Sequence, residues 1–275
     1  MTLQFLQRMM APFKSGFISI LGRPNVGKST LFNRILGEKI AIVTEKPQTT
    51  RTRILGIKNV EGGQFIFLDT PGIHKGRSEL NQRMVQIAVA SGRDADVLLF
   101  MIEATSPLIE KDREMMESLK GSDGLPFLVI NKIDLVKKEI LLPIMDQYQR
   151  LHPFQKIIPL SAITGDGVDI LLDEILKVLP ESAAYYPEDM ITDQTERFWV
   201  SEIIRKKVIQ YAYQEIPYST AVTIEEFKEH PERNLVVIKG TISVERDSQK
   251  KILIGKGGQK LRQIGEAARK EAEAL

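Results

Sequence analysis

Five short apolar runs, GFISILG (16–22), QFIFLDT (64–70), DVLLFMIEA (96–104), PFLVINK (126–132) and KIIPLSA (156–162), are spaced along the first two thirds of the chain. Between them lie stretches with apolar residues at helical period, among them SELNQRMVQIAVASGRDA (78–95) and SPLIEKDREMMESLKG (106–121). Strands that are apolar almost throughout need cover on both faces, and helix-length connections supply it. The pattern therefore predicts an α/β doubly wound, mostly parallel sheet over residues 16–180. RILGIKNV (53–60) is predicted to add an antiparallel edge strand. With 275 residues in the chain and about 150 per domain, there is room for a second domain.

The segment 179–198, LPESAAYYPEDMITDQTERF, breaks this rhythm with prolines, paired tyrosines and acids, and residues 181–198 read as a linker. Beyond it come an amphipathic helix (199–214), two alternating strands (219–227 and 234–246), a glycine turn (252–261) and a second helix (259–274). This α-β-β-α order predicts a smaller α+β domain over 199–275. Residues 1–15 read as an extension, since Gln7 and Arg8 interrupt an apolar core too weak for a signal peptide. No stretch approaches 18 consecutive apolar residues, so no membrane span is predicted and the expected location is cytoplasmic. With no cysteine, disulfide scaffolds, thiolate metal sites and a catalytic thiol are excluded.

Gly22-Arg23-Pro24-Asn25-Val26-Gly27-Lys28-Ser29 fits G-x-x-x-x-G-K-[ST], directly after the first strand and before the helical run TLFNRILG. Glycines let backbone N–H groups wrap phosphates, and a helix N-terminus favours the anion. Lys28 places a point charge near the β- and γ-phosphates, and Ser29 a hydroxyl on Mg²⁺. Asp69-Thr70-Pro71-Gly72 ends the second apolar run, where the aspartate can accept from a metal-bound water and Gly72 can donate to a γ-phosphate. At the end of the fourth run stands Asn131-Lys132-Ile133-Asp134. A carboxylate in the base plane accepts from both N1–H and the amino group of guanine, so Asp134 selects guanine over adenine. Ser161-Ala162-Ile163 follows the fifth run and fits a backbone contact to the guanine oxygen. Each tetrapeptide is weak alone, but four in order at strand carboxyl ends lie where open α/β sheets bind ligands.

These motifs resemble the translation-factor-related GTPases of the Ras-like P-loop class. That resemblance places a switch threonine in Gln48-Thr49-Thr50-Arg51. Thr50 is the better candidate to join Mg²⁺, with Thr49 open, and Lys28, Thr50 and Gly72 form the catalytic set. Ile73 stands where the class carries a water-positioning glutamine and cannot orient water, so another group must act. Asn25 is the residue that helps similar GTPases hold a potassium ion near the phosphates. His74, His152 and His230 read as loop side chains. A metabolic P-loop kinase is disfavoured by Asn131 and Asp134, and a transport GTPase by the missing membrane span.

The formal net charge of +2 conceals a local asymmetry. From 181 to 232 there are 5 basic and 11 acidic residues, net −6, and from 233 to 275 there are 10 and 5, net +5. The basic stretch centres on Ile254-Gly255-Lys256-Gly257-Gly258, with Lys250, Lys251, Lys260 and Arg262 around it. A G-x-x-G loop between helical segments is the arrangement by which a KH domain admits a nucleic-acid backbone, while flanking apolar residues meet unstacked bases. Ile252, Leu253, Ile254 and Leu261 are the expected apolar wall.

From Gly16 onward the chain resembles the bacterial Era GTPases, on the segments GRPNVGKSTLFN, KPQTTRTRI, FLDTPGIHK, NKID, SAITGDG, YYPEDMITDQTERF and ILIGKGGQKLRQIG. The resemblance implies a Ras-like domain joined to a type II KH domain. It also implies slow GTP hydrolysis with Mg²⁺, binding near the 3′ end of small-subunit (16S) ribosomal RNA, a role in assembly of the 30S subunit, and a partly peripheral membrane location. Regulation at the membrane or in the cell cycle is the alternative role. A type II KH sheet has a third strand after the last helix, which the resemblance would place beyond Leu275.

Overall fold

The chain divides into two units, Met1–Ala41 with Thr50–Asp193 and Ile42–Thr49 with Gln194–Leu275. The computed structural model describes residues 12–44, 49–72, 86–88, 90–92, 94–107, 109–117, 122–212 and 219–274. The first unit contains strands β1 (Lys14–Gly22), β2 (Ile54–Val60), β3 (Gly63–Asp69), β4 (Val97–Glu103), β5 (Leu125–Asn131) and β6 (Lys156–Pro159). Its helices include α1 (Lys28–Leu36), α2 (Ile109–Glu117), α3 (Leu141–Leu151) and α4 (Val168–Val178), and the described residues 86–88 and 90–92 are helical as well. One six-stranded sheet runs β2-β3-β1-β4-β5-β6, with β2 alone antiparallel to its neighbour.

The apolar runs become the central strands because each side chain on both faces is covered. Every residue of β3 is buried, as are all but the last of β4. Phe65, Phe67, Phe127, Ile18 and Ile20 are among the largest fully buried side chains, each stabilising the unit by about 1.5–3 kcal/mol. A second cluster joins Phe100, Ile102, Leu128 and Ile130 to Met115 of α2 and to Ile144 and Tyr148 of α3. Parallel strands bring the carboxyl ends of β1, β3, β4, β5 and β6 to one edge of the sheet, where all four nucleotide motifs lie.

The segment expected as a linker departs from that reading over most of its length, because it is bonded to the first unit. Ser15 Oγ donates to Ala183 O (2.6 Å), Ile57 N to Ile191 O (2.7 Å) and Thr192 Oγ1 to Leu55 O (2.6 Å). The last two of these bonds satisfy outer backbone groups of β2, an edge strand that would otherwise present them to solvent. Buried Gln64 anchors the middle: its Oε1 accepts from Tyr185 N (2.8 Å) and Tyr186 N (3.0 Å), and its Nε2 donates to Tyr186 O (2.9 Å). Tyr186 and Met190 pack on Leu55, Ile57, Ile66 and Leu68. Residues 181–192 are a strap along the sheet.

The second unit holds α5 (Glu196–Tyr211), β7 (Thr220–His230), β8 (Leu235–Val244), α6 (Asp247–Ile254) and α7 (Gln259–Ala272). Thr195 caps α5 by accepting from Phe198 N (3.3 Å). β7 and β8 form an antiparallel pair with a bulge between Ile224 and Glu226, and among the described residues this sheet has two strands. Helix α6 was absent from the α-β-β-α expectation. Its Leu253 is 4% exposed and packs with Val208, Ala212 and Ile264. Leu253 is therefore a core residue and not part of an apolar wall.

Candidate functional site

The first motif folds into a loop that closes on its own lysine. Gly22 ends β1 and Gly27 starts α1 at φ 101°, a left-handed conformation that a side chain would strain; an added Cβ there would also sit 2.3 Å from Asn131 Nδ2. No side chain caps α1, so its first backbone N–H groups are available to an anion. Lys28 is 6% exposed, and its Nζ donates to Gly22 O (3.1 Å) and Arg23 O (3.0 Å). Burial lowers its ammonium to about 8, against the opposing pull of Asp69. A phosphate here would supply the counter-charge that burial withholds.

Three oxygens meet beside this loop. Ser29 Oγ donates to Asp69 Oδ2 (2.7 Å), lies 2.9 Å from Thr50 Oγ1, and Thr50 Oγ1 reaches Asp69 Oδ2 at 3.4 Å. Asp69 is fully buried, its Oδ1 has no hydrogen-bond partner, and burial raises its carboxyl to about 6 despite Lys28 and the two hydroxyls. A buried carboxylate with an orphaned oxygen beside two hydroxyls fits the oxygen donor set of a hard divalent cation such as Mg²⁺. Between the two candidate threonines, the geometry brings Thr50 to this group, while Thr49 Oγ1 pairs with Thr44 Oγ1 (2.8 Å). Thr70 Oγ1 donates to Ile20 O (2.7 Å), locking the start of the D-T-P-G turn. Gly72 abuts the phosphate loop so closely that an added Cβ would lie 2.8 Å from Pro24 N. Ile73 and His74 lie outside the described residues.

The base-side motifs are tied to the phosphate loop through Asn131. Its Nδ2 donates to Val26 O (2.8 Å), and its Oδ1 accepts from Ala162 N (2.9 Å). The Ala162 N–H is thus already engaged by Asn131. Asp134 is exposed in a 3-10 turn after Lys132, which takes a left-handed φ of 65° and pairs with Glu103. Ser161 is buried and its Oγ accepts from Thr164 N (3.1 Å). Two contributors escaped the sequence reading. Arg34 of α1 donates to Ala162 O (3.2 Å) and Ile163 O, fixing that loop, and Asn33 bonds both backbone groups of Ala41. Arg34 lies just outside the segments that carry the family resemblance and Asn33 at the very end of one, and helical spacing alone does not say that they reach another loop.

In the second unit, Gly255, Gly257 and Gly258 all take positive φ, and nothing lies within 4 Å of a Cβ added at Gly257 or Gly258. The loop is thus open for a backbone to approach. Lys251, Lys256 and Arg262 are exposed around it and Lys260 is half-buried, with Ile252, Ile254 and Leu261 exposed nearby. Elsewhere in this unit, Arg205 is 4% exposed, pairs with Glu202 and donates to Thr49 O.

Comparison with known proteins agrees with both halves. Residues 17–132 match a family described as 50S ribosome-binding GTPases, and 215–275 match the KH domain. The chain is 55% identical over 261 residues to GTPase Era of Syntrophus aciditrophicus, covering 95% of this chain and 85% of that protein. It is 53% identical over 264 residues to GTPase Era of Geobacter metallireducens, covering 96% and 89%. Among solved structures, Era in complex with MgGDPNP and nucleotides 1506–1542 of 16S ribosomal RNA superposes with a TM-score of 0.91 at 44% identity, over 95% of this chain and 89% of that one. A variant of Aquifex aeolicus Era bound to GDP and AlF4− gives 0.90 at 43%, with the same coverage. A Ras-like unit with all four nucleotide motifs, a KH unit and this degree of identity along nearly the whole chain establish that the protein belongs to the Era family and is a GTPase, hydrolysing GTP to GDP and phosphate.

Proposed function

We propose that this GTPase binds small-subunit (16S) ribosomal RNA through the basic glycine loop of its KH unit, acts in the cytoplasm in assembly of the 30S subunit, and changes its hold on RNA with nucleotide state. The observation that carries this reading is the open, positively charged loop at Gly255–Gly258 on the same chain as a guanine-nucleotide site. Lys251, Lys256, Lys260 and Arg262 would meet the RNA backbone, and Ile254 with its exposed apolar neighbours would meet unstacked bases. The related structure that holds both MgGDPNP and a 16S fragment supports the pairing of ligands. Among the described residues no helix is long and apolar enough to cross a membrane.

At the nucleotide, the residues of Gly22–Ser29 would cradle the phosphates with their backbone N–H groups, and Asn131–Asp134 with Ser161–Ile163 would hold guanine. Ser29, Thr50 and, through water, Asp69 would hold Mg²⁺, which when bound neutralises charge on the β- and γ-phosphate oxygens. Lys28 adds its ammonium to the same oxygens. Gly72, following Thr70 and Pro71, would donate its N–H to the γ-phosphate, and Asn25 would help hold K⁺. If exchanging K⁺ for Na⁺ leaves single-turnover hydrolysis unchanged, the potassium role is wrong.

Coupling to RNA finds support in two adjacent residues. Thr49 is bonded within the second unit, to Thr44 and Arg205, while Thr50 is bonded within the first, to Ser29 and Asp69. Loss of the γ-phosphate would release this segment, and the covalent link carries the change from one unit to the other. Crosslinking the GTP-bound protein to cellular RNA tests the assignment. The expected signal lies on small-subunit ribosomal RNA, and a dominant signal elsewhere overturns it.

A further inference from the structure

Arg23, the second residue of the phosphate loop, turns its guanidinium away from the phosphate site and into the body of the first unit. Its Nε donates to Asp112 Oδ1 (2.8 Å) and its Nη2 to Ser106 O (3.0 Å). Asp112, on α2, is fully buried, and its second oxygen accepts from Tyr148 Oη on α3. Tyr148 is itself fully buried against Ile102, Met115, Leu128 and Phe154, and burial followed by Asp112 drives its phenol well above the usual range, so it remains a donor. The backbone of the same arginine accepts from the catalytic lysine, Lys28 Nζ to Arg23 O at 3.0 Å. A continuous line of bonds thus runs from the core cluster through Tyr148, Asp112 and Arg23 to Lys28.

We propose that Asp112, braced by Tyr148, is a positioning residue that holds the phosphate loop ready for guanine nucleotide through Arg23. The proposal deepens the nucleotide-binding assignment of this loop and rests on it. A phosphate loop gains its affinity from converging backbone N–H groups, so any freedom it has before binding must be lost on binding. The bidentate arginine removes that freedom in advance at one end of the loop, and its planar fork is what lets one side chain bond a carboxylate and a carbonyl together. Asp112 also pairs the charge of Arg23, so the cation has a fixed place apart from the phosphates. The pair is buried on the aspartate side, so it is retained only with both partners in place. The consequence falls on how tightly nucleotide is held, and not on the rate of the chemical step once GTP is bound.

The test is release of a fluorescent GDP analogue from the full chain by stopped flow. It uses wild type, Asp112→Asn, Arg23→Met, the double variant and Arg23→Lys, with single-turnover GTP hydrolysis measured alongside at saturating protein. Asp112→Asn and Arg23→Met are each expected to speed release about tenfold, a loss of about 1.4 kcal/mol. The double variant releases no faster than Arg23→Met, because both changes break the same line of bonds. Arg23→Lys falls between, since lysine reaches the carboxylate without the fork. Single-turnover hydrolysis by Asp112→Asn, which changes a residue outside the nucleotide site, shifts less than about twofold, because the step made only in the transition state is untouched. A buried aspartate change, or removal of its cation, can cost folding, so Arg23→Lys, which keeps a charge beside Asp112, decides the matter if Asp112→Asn or Arg23→Met does not fold: release at the wild-type rate from a folded Arg23→Lys then overturns the proposal. Release from Arg23→Met at the wild-type rate overturns the proposal, as does a double variant whose effect is the product of the two singles. A purely structural ion pair would give lowered melting temperatures with unchanged release. Failure of wild type itself to bind the GDP analogue would instead sink the nucleotide assignment.

Discussion

Asn131 joins three loops with one side chain, and its removal can be worked through in numbers. Asn131→Ala deletes the bond to Val26 O and the bond from Ala162 N, and leaves that carbonyl and that amide without partners in a buried site. Each stranded group costs about 1–3 kcal/mol. The two together cost about 2–6, with the low end reached where water fills the space. An expected loss of about 3 kcal/mol is a large share of the 5–15 kcal/mol typical of a folded domain. At a urea dependence of about 2 kcal/mol per molar, the midpoint falls by about 1.5 M. Far-UV circular dichroism follows the loss. The single tryptophan, Trp199, lies in the second unit, so its fluorescence transition should stay in place and serve as the internal control. Asn131→Asp separates the two bonds. It keeps an acceptor for Ala162 N but sets a carboxylate oxygen against Val26 O, which raises its folded pKa. The variant is therefore destabilised at pH 8 and recovers as pH falls towards 4. A midpoint shift under about 0.5 M for Asn131→Ala, or an Asn131→Asp variant indifferent to pH, would refute the reasoning.

Gln64→Leu should release the strap without unfolding the sheet: the amides of Tyr185 and Tyr186 lose their acceptor, and their hydrogen exchange is expected to accelerate by at least about tenfold, a change of about 1.4 kcal/mol. Unchanged exchange there would mean that the backbone bonds alone hold the strap. Asp134→Asn should weaken GDP and GTP and favour xanthine nucleotides, measured by calorimetry; unchanged GTP affinity would remove the guanine assignment. Asp69, raised by burial to about 6 from an ordinary value near 4, gives a pH prediction for the nucleotide- and metal-free protein. Because its folded pKa lies above its unfolded one, its contribution is fully present below about pH 4 and is lost as pH rises through about 6, by up to about 3 kcal/mol. The stability of wild type minus that of Asp69→Asn should fall across this range in thermal melts, and a constant difference would contradict it.

The sheet was legible because its strands are apolar on both faces, a pattern that fixes their cover and, with the helices between, their order. The nucleotide motifs were legible because phosphate and guanine recognition demand particular residue types in fixed order. The strap was not. Its proline and acids read as solvent-exposed linker, and what holds it is largely backbone bonding to β2 together with a glutamine inside β3. A lone buried Gln64 in QFIFLDT does not announce which segment its amide will bind. Helix α6 was expected only as a helical segment before the glycine loop, without a place in the α-β-β-α order, and its shortness hid the fact that Leu253 faces inward while Ile252 and Ile254 remain exposed. Arg23 was legible as a member of the phosphate loop. Its partner Asp112, and Tyr148 which bonds that aspartate in turn, come from helices some ninety and more positions away, and their meeting depends on tertiary packing.

The central claim is that guanine nucleotide governs the grip of the KH unit on RNA. The direct measurement is the affinity of the full chain for a single-stranded RNA from the 3′ end of small-subunit ribosomal RNA, at one fixed salt concentration, with Mg²⁺ and either GDPNP or GDP. A coupling of ordinary size predicts binding at least about fivefold tighter with GDPNP. Equal affinities in the two nucleotide states would contradict the account.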